Sequence, residues 1–404
     1  MEFCRSLILM IFQTLDNKHD CKSIYAAGEF VEEFSKENLS GTWEYKAGLP
    51  SGIEFAKLYC EGRSIDEICP DFLKGEWDRA GNKLRAYLNS FMHAKISLTE
   101  HCFYDLVPQH FLLDFYEVKN QITRHVFDNR ERPKNYDFLL QLTKVVEDIK
   151  TRPLNLKLNK LNVLSHQIAT RNFLKRLKKA EKRIKYNIFG TKTGRLTTEP
   201  KSFPILTLKK EYRSMLEPNN DLYVELDFNA AELRTLLALC GKKQPKEDIH
   251  EWNAENVFRG LVTRKEAKER IFAWLYNPDS KDYLANKAYD KMGVKEKYWD
   301  GKMVTTPFDK QIEADEFHAL NYLIQSTTAD MVLRQVIKIF DLLKGSKSHI
   351  AFIVHDSLVI DLAKEDRELM TEIFETFAKT SLGEFVISAQ AGKNFGEMKE
   401  IKWK

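Results

Sequence analysis

At 404 residues the chain is too long for one hydrophobic core, so it divides into two or three domains or subdomains. Its hydrophobic fraction of 43% is ordinary for a globular protein, and 30% charged residues argues against a membrane protein. A net charge of +4 is too small to announce a polyanionic partner, so the distribution of charge matters more than its sum.

In chain order, the first apolar run, Leu7 to Phe12, lies between Glu2 and Asp16. It is too short to span a bilayer and has no small-residue cleavage site. The run extends to Leu15 and predicts a core strand, followed by a turn at Asn17 and Asp20, in a cytoplasmic protein. From Gly52 to Ala94, and again from Leu106 to Val126, the apolar residues recur at mostly helical spacing. Pro133 and Pro153 bracket a further helix over Tyr136 to Ile149. The six cysteines (Cys4, Cys21, Cys60, Cys69, Cys102 and Cys240) contain no C-x-x-C pair and stand near no histidine cluster. They read as buried reduced thiols, with neither a structural zinc nor a disulfide framework.

Thirteen Lys/Arg face a single acid, Glu181, between Arg152 and Arg195. The densest part, Arg171 to Lys185, predicts a helix with Leu174, Leu177 and Ile184 near one face. Its opposite, basic face suits a phosphate backbone, although a merely solvated helix has the same pattern.

Beyond Thr193 the sequence carries chemistry. Leu222 to Asp227 is apolar and β-prone, and Asn229 to Cys240 turns helical, which puts Asp227 where a buried strand gives way to a helix. His349 to Asp361 reads as two apolar strands around a tight polar turn at His355, Asp356 and Ser357. Two strand-end carboxylates suit a two-metal phosphoryl-transfer centre, because hard Mg²⁺ ions take oxygen ligands and complete their shells with water and phosphate. Either aspartate alone reads equally well as a turn or cap residue. Between them, Arg264, Lys268, Phe272 and Tyr276 recur at four-residue steps, aligning two cations and then two aromatics on one helix face. Cations would meet a triphosphate and aromatics a base; taken singly, an amphipathic surface helix explains the pattern too.

The ordered set resembles the family A (polymerase I-type) DNA polymerases. It comprises Gly194-Arg195-Leu196, the stretch from Asp227 to Arg234 and Asp248-Ile249-His250. The Arg264…Tyr276 helix, Asn321 to Gln325 with Asp330, and His355-Asp356 complete it. The resemblance covers about Lys192 to the C-terminus. It implies an α+β right-hand fold with an antiparallel-sheet palm, helical fingers and a helical thumb, plus a small mixed α/β N-terminal region. The implied divisions are residues 1–104, a basic thumb-like stretch at 105–190, palm at 191–241 and 318–404, and fingers at 242–317.

The resemblance also implies roles. Asp227, Asp356 and the carbonyl of Phe228 would hold two Mg²⁺ ions, and Glu232 would be the steric gate against a ribose 2′-hydroxyl. Arg264, Lys268 and His250 would meet the triphosphate, with Lys268 as general acid to the leaving pyrophosphate. Phe272 would pack beside the incoming sugar and base, and Tyr276 near the templating position. Arg195, Asn321, Gln325 and His355 would touch the primer end and the minor groove of the nascent pair. The implied partners are primer-template DNA and deoxynucleoside triphosphates, with a helicase, primase or processivity factor as further candidates and no membrane.

The chain departs from the family pattern in four places. Asn277 replaces the usual Gly after the helix tyrosine, and Ser357 replaces the acid that commonly follows the second aspartate. Only 44 residues separate Tyr276 from Asn321, a short fingers connection. The N-terminal third, with Asp16, Asp20, Asp114 and Glu117, lacks the D-x-E pattern of a proofreading exonuclease. The expectation is a compact, phage-like replicative polymerase with neither 3′–5′ nor 5′ nuclease. Two alternatives stay open: a single-subunit RNA polymerase, against which Glu232 argues, and a non-catalytic DNA-binding scaffold, against which the retained aspartates argue. The first hundred residues read as packing support, an exonuclease-like remnant or a docking surface.

Overall fold

The computed structural model describes residues 10–15, 23–32, 38–96, 98, 101–277 and 280–402. The chain forms two compact units, 1–140 and 141–404.

The first unit holds a five-stranded mixed sheet. Its strands are β1 (Met10–Thr14), β2 (Ile24–Ala26), β3 (Glu29–Val31), β4 (Leu39–Thr42) and β5 (Glu54–Phe55), in the order β3-β2-β1-β4-β5. Central β1 is antiparallel to β2 and parallel to β4. The expected first strand is therefore present from Met10 onward, while Leu7 to Leu9, Asn17 and Asp20 lie outside the described residues. Two long helices, α1 (Asp71–His93) and α2 (Gln109–Asn129), bury Leu73, Trp77, Phe111, Leu112 and Ile122 in a common core with Leu15 and Tyr25. Gln13, fully buried on β1, donates to Asn120 Oδ1 at 3.2 Å and Thr123 Oγ1 at 3.0 Å, because an amide taken out of water must find partners. The cysteines correct one expectation. Cys60, Cys69 and Cys240 are free thiols, but Cys102 is in a disulfide. Pairing depends on two Cβ atoms meeting in space, which sequence spacing does not encode.

The unit boundary falls within α3 (Tyr136–Thr151), and α4 (Ile168–Leu177) follows in the second unit. The basic helix expected to reach Lys185 thus ends at Leu177. Beyond it the backbone finds partners elsewhere: Glu181 N–H donates to Lys201 O at 2.8 Å and Phe203 N–H to Arg183 O at 2.9 Å. Ile184 is buried from an extended segment, not from a helix face.

The heart of the second unit is an antiparallel five-stranded sheet. Its strands are β6 (Leu222–Phe228), β7 (His349–Val354), β8 (Ser357–Leu362), β9 (Ile387–Gly392) and β10 (Lys399–Glu400), in the order β7-β8-β6-β9-β10. Alternation along β6 sends Val224, Leu226 and Phe228 to one face and Glu225 and Asp227 to the other. On the apolar face Phe228 stacks on Phe377 of α9 (Leu369–Ala378), ring centroids 4.2 Å apart. Helix α5 (Ala231–Leu239) starts two residues beyond β6, and Thr328 of α8 (Ala319–Leu342) donates to its Thr235 at 2.9 Å. Between α5 and α8 lie α6 (Ile249–Trp252) and α7 (Arg264–Tyr276). Thr263 and Glu266 form a capping box that starts α7. Ala267, Ile271, Trp274 and Leu275 then pack it on a core with Leu236, Phe258 and Tyr289.

Asp361 sets the register of this sheet. Its buried carboxylate accepts the backbone N–H groups of Asn219 (2.7 Å) and Asn220 (2.9 Å), clamping the turn before β6 to β8. The outer edge of β7 is closed by the buried Tyr186, whose hydroxyl donates to Ile353 O at 2.6 Å and accepts from Ile353 N at 2.9 Å. Replacing Tyr186 with Phe strands both backbone groups without creating a cavity. We expect Tyr186→Phe to lose about 2–3 kcal/mol in urea unfolding; a loss under about 0.5 kcal/mol would show that water replaces the hydroxyl.

Candidate active site

The site is built from the ends of β6 and the β7–β8 turn. Antiparallel register sets Asp227 opposite Ser357, so Asp356, one residue earlier in the turn, comes next to Asp227. Two backbone positions in the left-handed region shape this edge: His355 at φ +54° in the turn, and Ala230 at φ +49° where β6 breaks into α5. Such conformations cost energy for residues with a side chain and cluster where geometry is demanding.

Asp227 is accessible to water at the mouth of a cavity of about 310 Å³, but protein crowds the rest of its carboxyl. This burial, followed by the fields of Asp356 and Glu225, pushes it up to about 7, against a stabilising N–H from Phe228. Burial and then Glu232 also raise Asp356, opposed by Arg195 and His355. Two carboxylates that resist ionising together offer hard oxygen donors to a dication, which would relieve their repulsion. Among the described residues no three His, Cys, Asp or Glu side chains gather closely enough to hold a metal alone. Any ion here would therefore draw further ligands from water or from phosphate oxygens. The donor chemistry fits Mg²⁺, and the Phe228 ring is packed in the core, so that residue could offer an ion only its backbone carbonyl.

Glu232, in the first turn of α5, is buried and accepts from the Arg195 guanidinium and from the Tyr276 hydroxyl. Burial first, and then Glu232, push the Tyr276 hydroxyl well above its usual range, so it remains a donor. This triad ties the 194–195 loop, α5 and α7 together. Gly194, just before Arg195, adopts φ +76°, and the place a Cβ would take is filled by Lys310 Nζ, which sits 3.8 Å from buried Asp330.

On α7, Phe272 and Tyr276 stack with planes 9° apart and Lys268 Nζ lies 6.0 Å from the Phe272 ring centre. The His250 ring is 5.5 Å from Phe272 and its buried Nδ1 lacks a partner among the described residues. Burial, then the cations Lys268, Arg264 and Arg234, push His250 down to about 4 despite Asp248 nearby, so the imidazole is neutral at pH 7. Arg264 pairs with Asp248 through Nε at 3.1 Å and Nη2 at 2.7 Å. Asn321 and Gln325, half-buried, lie four residues apart on α8 and have no side-chain hydrogen-bond partner among the described residues. His355 and Arg195 line a small cleft with Asp356.

Sequence reasoning missed several residues. Glu225 shares a strand face with Asp227 and accepts from Ser357 Oγ at 3.1 Å, a placement that the two-residue period could have revealed. Lys210 and Arg213 wall the cavity beside Asp227, and nothing in their local pattern marks them. Asp248 and Asn229 were visible only as motif letters.

No family model matches the chain, and no curated protein does. Among solved structures, the chain has the fold of a DNA polymerase domain. The comparison is with the POL domain of Pol1 from M. smegmatis, in complex with DNA primer-template and dNTP. The TM-score is 0.69 with 96% of each chain covered, at 11% sequence identity. No helix among the described residues is long and apolar enough to cross a membrane.

The raised Asp227 carboxyl predicts a pH signature without any metal. A carboxyl with a folded pKa above its unfolded value costs stability as pH rises from about 4 through about 7. Relative to wild type, Asp227→Asn gains stability at pH 8 but not at pH 4. We expect a gain of about 1 kcal/mol after discounting for solvent screening. Equal thermal shifts at both pH values would remove the like-charge account.

Proposed function

We propose that the chain is a DNA-dependent DNA polymerase that extends a primer 3′-hydroxyl by nucleotidyl transfer. The observation that carries this reading is the pairing of Asp227 with Asp356 where the central strands of the sheet end, together with the α7 row Arg264, Lys268, Phe272 and Tyr276. The likeness of fold to a polymerase domain supports it. In this reading the β6–β10 sheet is the palm, residues 242–317 are fingers, and the basic stretch before 190 serves as thumb.

Asp227, Asp356 and the Phe228 carbonyl would hold two Mg²⁺ ions, which supply Lewis-acid stabilisation of charge on the phosphate being transferred. The protein's own groups do the rest. Arg264 and Lys268 neutralise the triphosphate, and neutral His250 donates from its ring without adding charge. Lys268 gives a proton to departing pyrophosphate. Phe272 flanks the sugar and base, while Tyr276, held by Glu232, closes the templating side. Glu232 is buried and already has two donors, so an added 2′-hydroxyl would meet a carboxylate with no room to move. Arg195, Asn321, Gln325 and His355 present polar groups to the primer end and to the degenerate minor-groove acceptors, which tests pair shape without reading sequence.

Extension of a labelled primer on a DNA template with Mg²⁺ tests the reading. Wild type extends with deoxynucleotides, and Asp227→Ala or Asp356→Ala reduces the rate by at least about 10³-fold while duplex binding persists. A folded wild type that binds duplex but never extends it would overturn the assignment in favour of a DNA-binding scaffold. Glu232→Ala provides a separate check. Ribonucleotide use should rise by about 10²-fold relative to deoxynucleotide use, and unchanged discrimination would remove the gate role.

A further inference from the structure

Asp248 makes more bonds than any helix cap requires. It precedes the four-residue α6, and Oδ1 accepts the N–H groups of His250 (2.9 Å) and Glu251 (3.0 Å). The same oxygen accepts Arg264 Nε at 3.1 Å, while Oδ2 accepts Arg264 Nη2 at 2.7 Å and Asn229 Nδ2 at 2.8 Å. Five donors saturate a carboxylate, which cannot then rotate without breaking several bonds at once.

Asn229 is equally committed. It lies just beyond β6, two residues after Asp227, and its N–H donates to Val386 O at 2.9 Å. Its Oδ1 accepts from Ile249 N at 3.0 Å and from Arg234 Nη2 at 3.1 Å. Arg234 is fully buried on α5; it donates to Asn229 O (2.9 Å), Pro245 O (2.8 Å) and Glu247 O (2.7 Å). A continuous set of hydrogen bonds therefore runs from the end of the Asp227 strand to the first residue of α7.

We propose that Asp248 is a positioning residue for Arg264, fastening its guanidinium through Asn229 to the strand end that carries Asp227. The inference rests on the polymerase reading given above. Asp248 takes Nε and Nη2, the two nitrogens on one edge of a planar fork, so the plane and direction of the guanidinium are set. Nη1 takes no part in the pair, and with the side chain 51% exposed, that end of the fork remains for a phosphate oxygen. An exposed ion pair contributes little to stability, so orientation is the better explanation for so many converging bonds. The triphosphate grip and the Asp227 carboxylate are then held at a fixed separation.

A thermodynamic cycle separates this role from simple capping. Asp248→Asn keeps an oxygen for the His250 and Glu251 amides but removes the charged partner of Arg264. The readouts are steady-state primer extension and equilibrium binding of dNTP with Mg²⁺. We expect Asp248→Asn to raise KM and the dNTP dissociation constant about tenfold, with kcat changed less than about threefold. In an Arg264→Ala background the same substitution should add less than about twofold. Asn229→Ala, which cuts the link from the other side, should reproduce the KM effect if Asp248→Asn fails to fold. Effects that multiply in the double variant would overturn the inference and leave Asp248 as a cap. A wild type that binds dNTP with this coupling yet never extends primer would sink the polymerase reading alone. A wild type that does neither would sink both.

Discussion

Two carboxylates that would rather not be ionised together sit side by side because a hydrogen-bonded sheet leaves them no alternative. Asp227 is the next-to-last residue of β6, and its partner across the ladder is Ser357, so the residue just before Ser357 in the turn must lie beside it. A slip of one residue would turn Asp227 into the apolar core and Phe228 out of it. The register is defended from both ends. Asp361 clamps the turn before β6, and Phe228 stacks on Phe377 beneath the site. The repulsion between Asp227 and Asp356 is thus carried by the core of the second unit.

Around this pair the structure separates rigid parts from groups left available. Glu232, Asp248, Asn229 and Arg234 are saturated with hydrogen bonds, whereas His250 Nδ1, Asn321 and Gln325 lack partners among the described residues. Buried polar atoms normally find partners, and the unpaired His250 Nδ1 lies beside the Phe272 ring, where a ligand could supply one. The stacked Phe272 and Tyr276 sit between the two classes. Each packs on a neighbouring ring while Tyr276 spends its hydroxyl on Glu232.

The strand ending at Asp227, the hairpin around His355 and Asp356, and the helix through Arg264 and Tyr276 were readable from the sequence because each depends on local periodicity. Strands repeat every two residues and helices every three to four, and the polar turn breaks two apolar runs. The basic helix was over-extended for the same reason. Leu174, Leu177 and Ile184 fit a helical face, but Glu181 and Arg183 exchange backbone hydrogen bonds with Lys201 and Phe203, which periodicity cannot see. The Asp248 carboxylate and the wall of Lys210 and Arg213 were hidden because each joins segments apart in sequence. The family resemblance named positions that local pattern could not. At 11% identity, the overlap with a polymerase domain lies in the layout of the backbone more than in residue identity.

Ser357 fits the electrostatics of its surroundings. The position faces Asp227 directly across the ladder, and a carboxylate there would join Asp356 and Glu225 in an already crowded field. The hydroxyl instead has one proton to give, with Glu225 Oε1 at 3.1 Å and Val354 O at 3.0 Å as its alternative acceptors. Glu225 stands one pleat back from Asp227 on the same face, so the strand carries the extra acid and the turn carries a neutral donor. Negative charge near the Asp227–Asp356 pair is thereby kept without being placed on the turn itself. A fourth acid, at 357, would instead have to be compensated where His355 and Arg195 already offset Asp356.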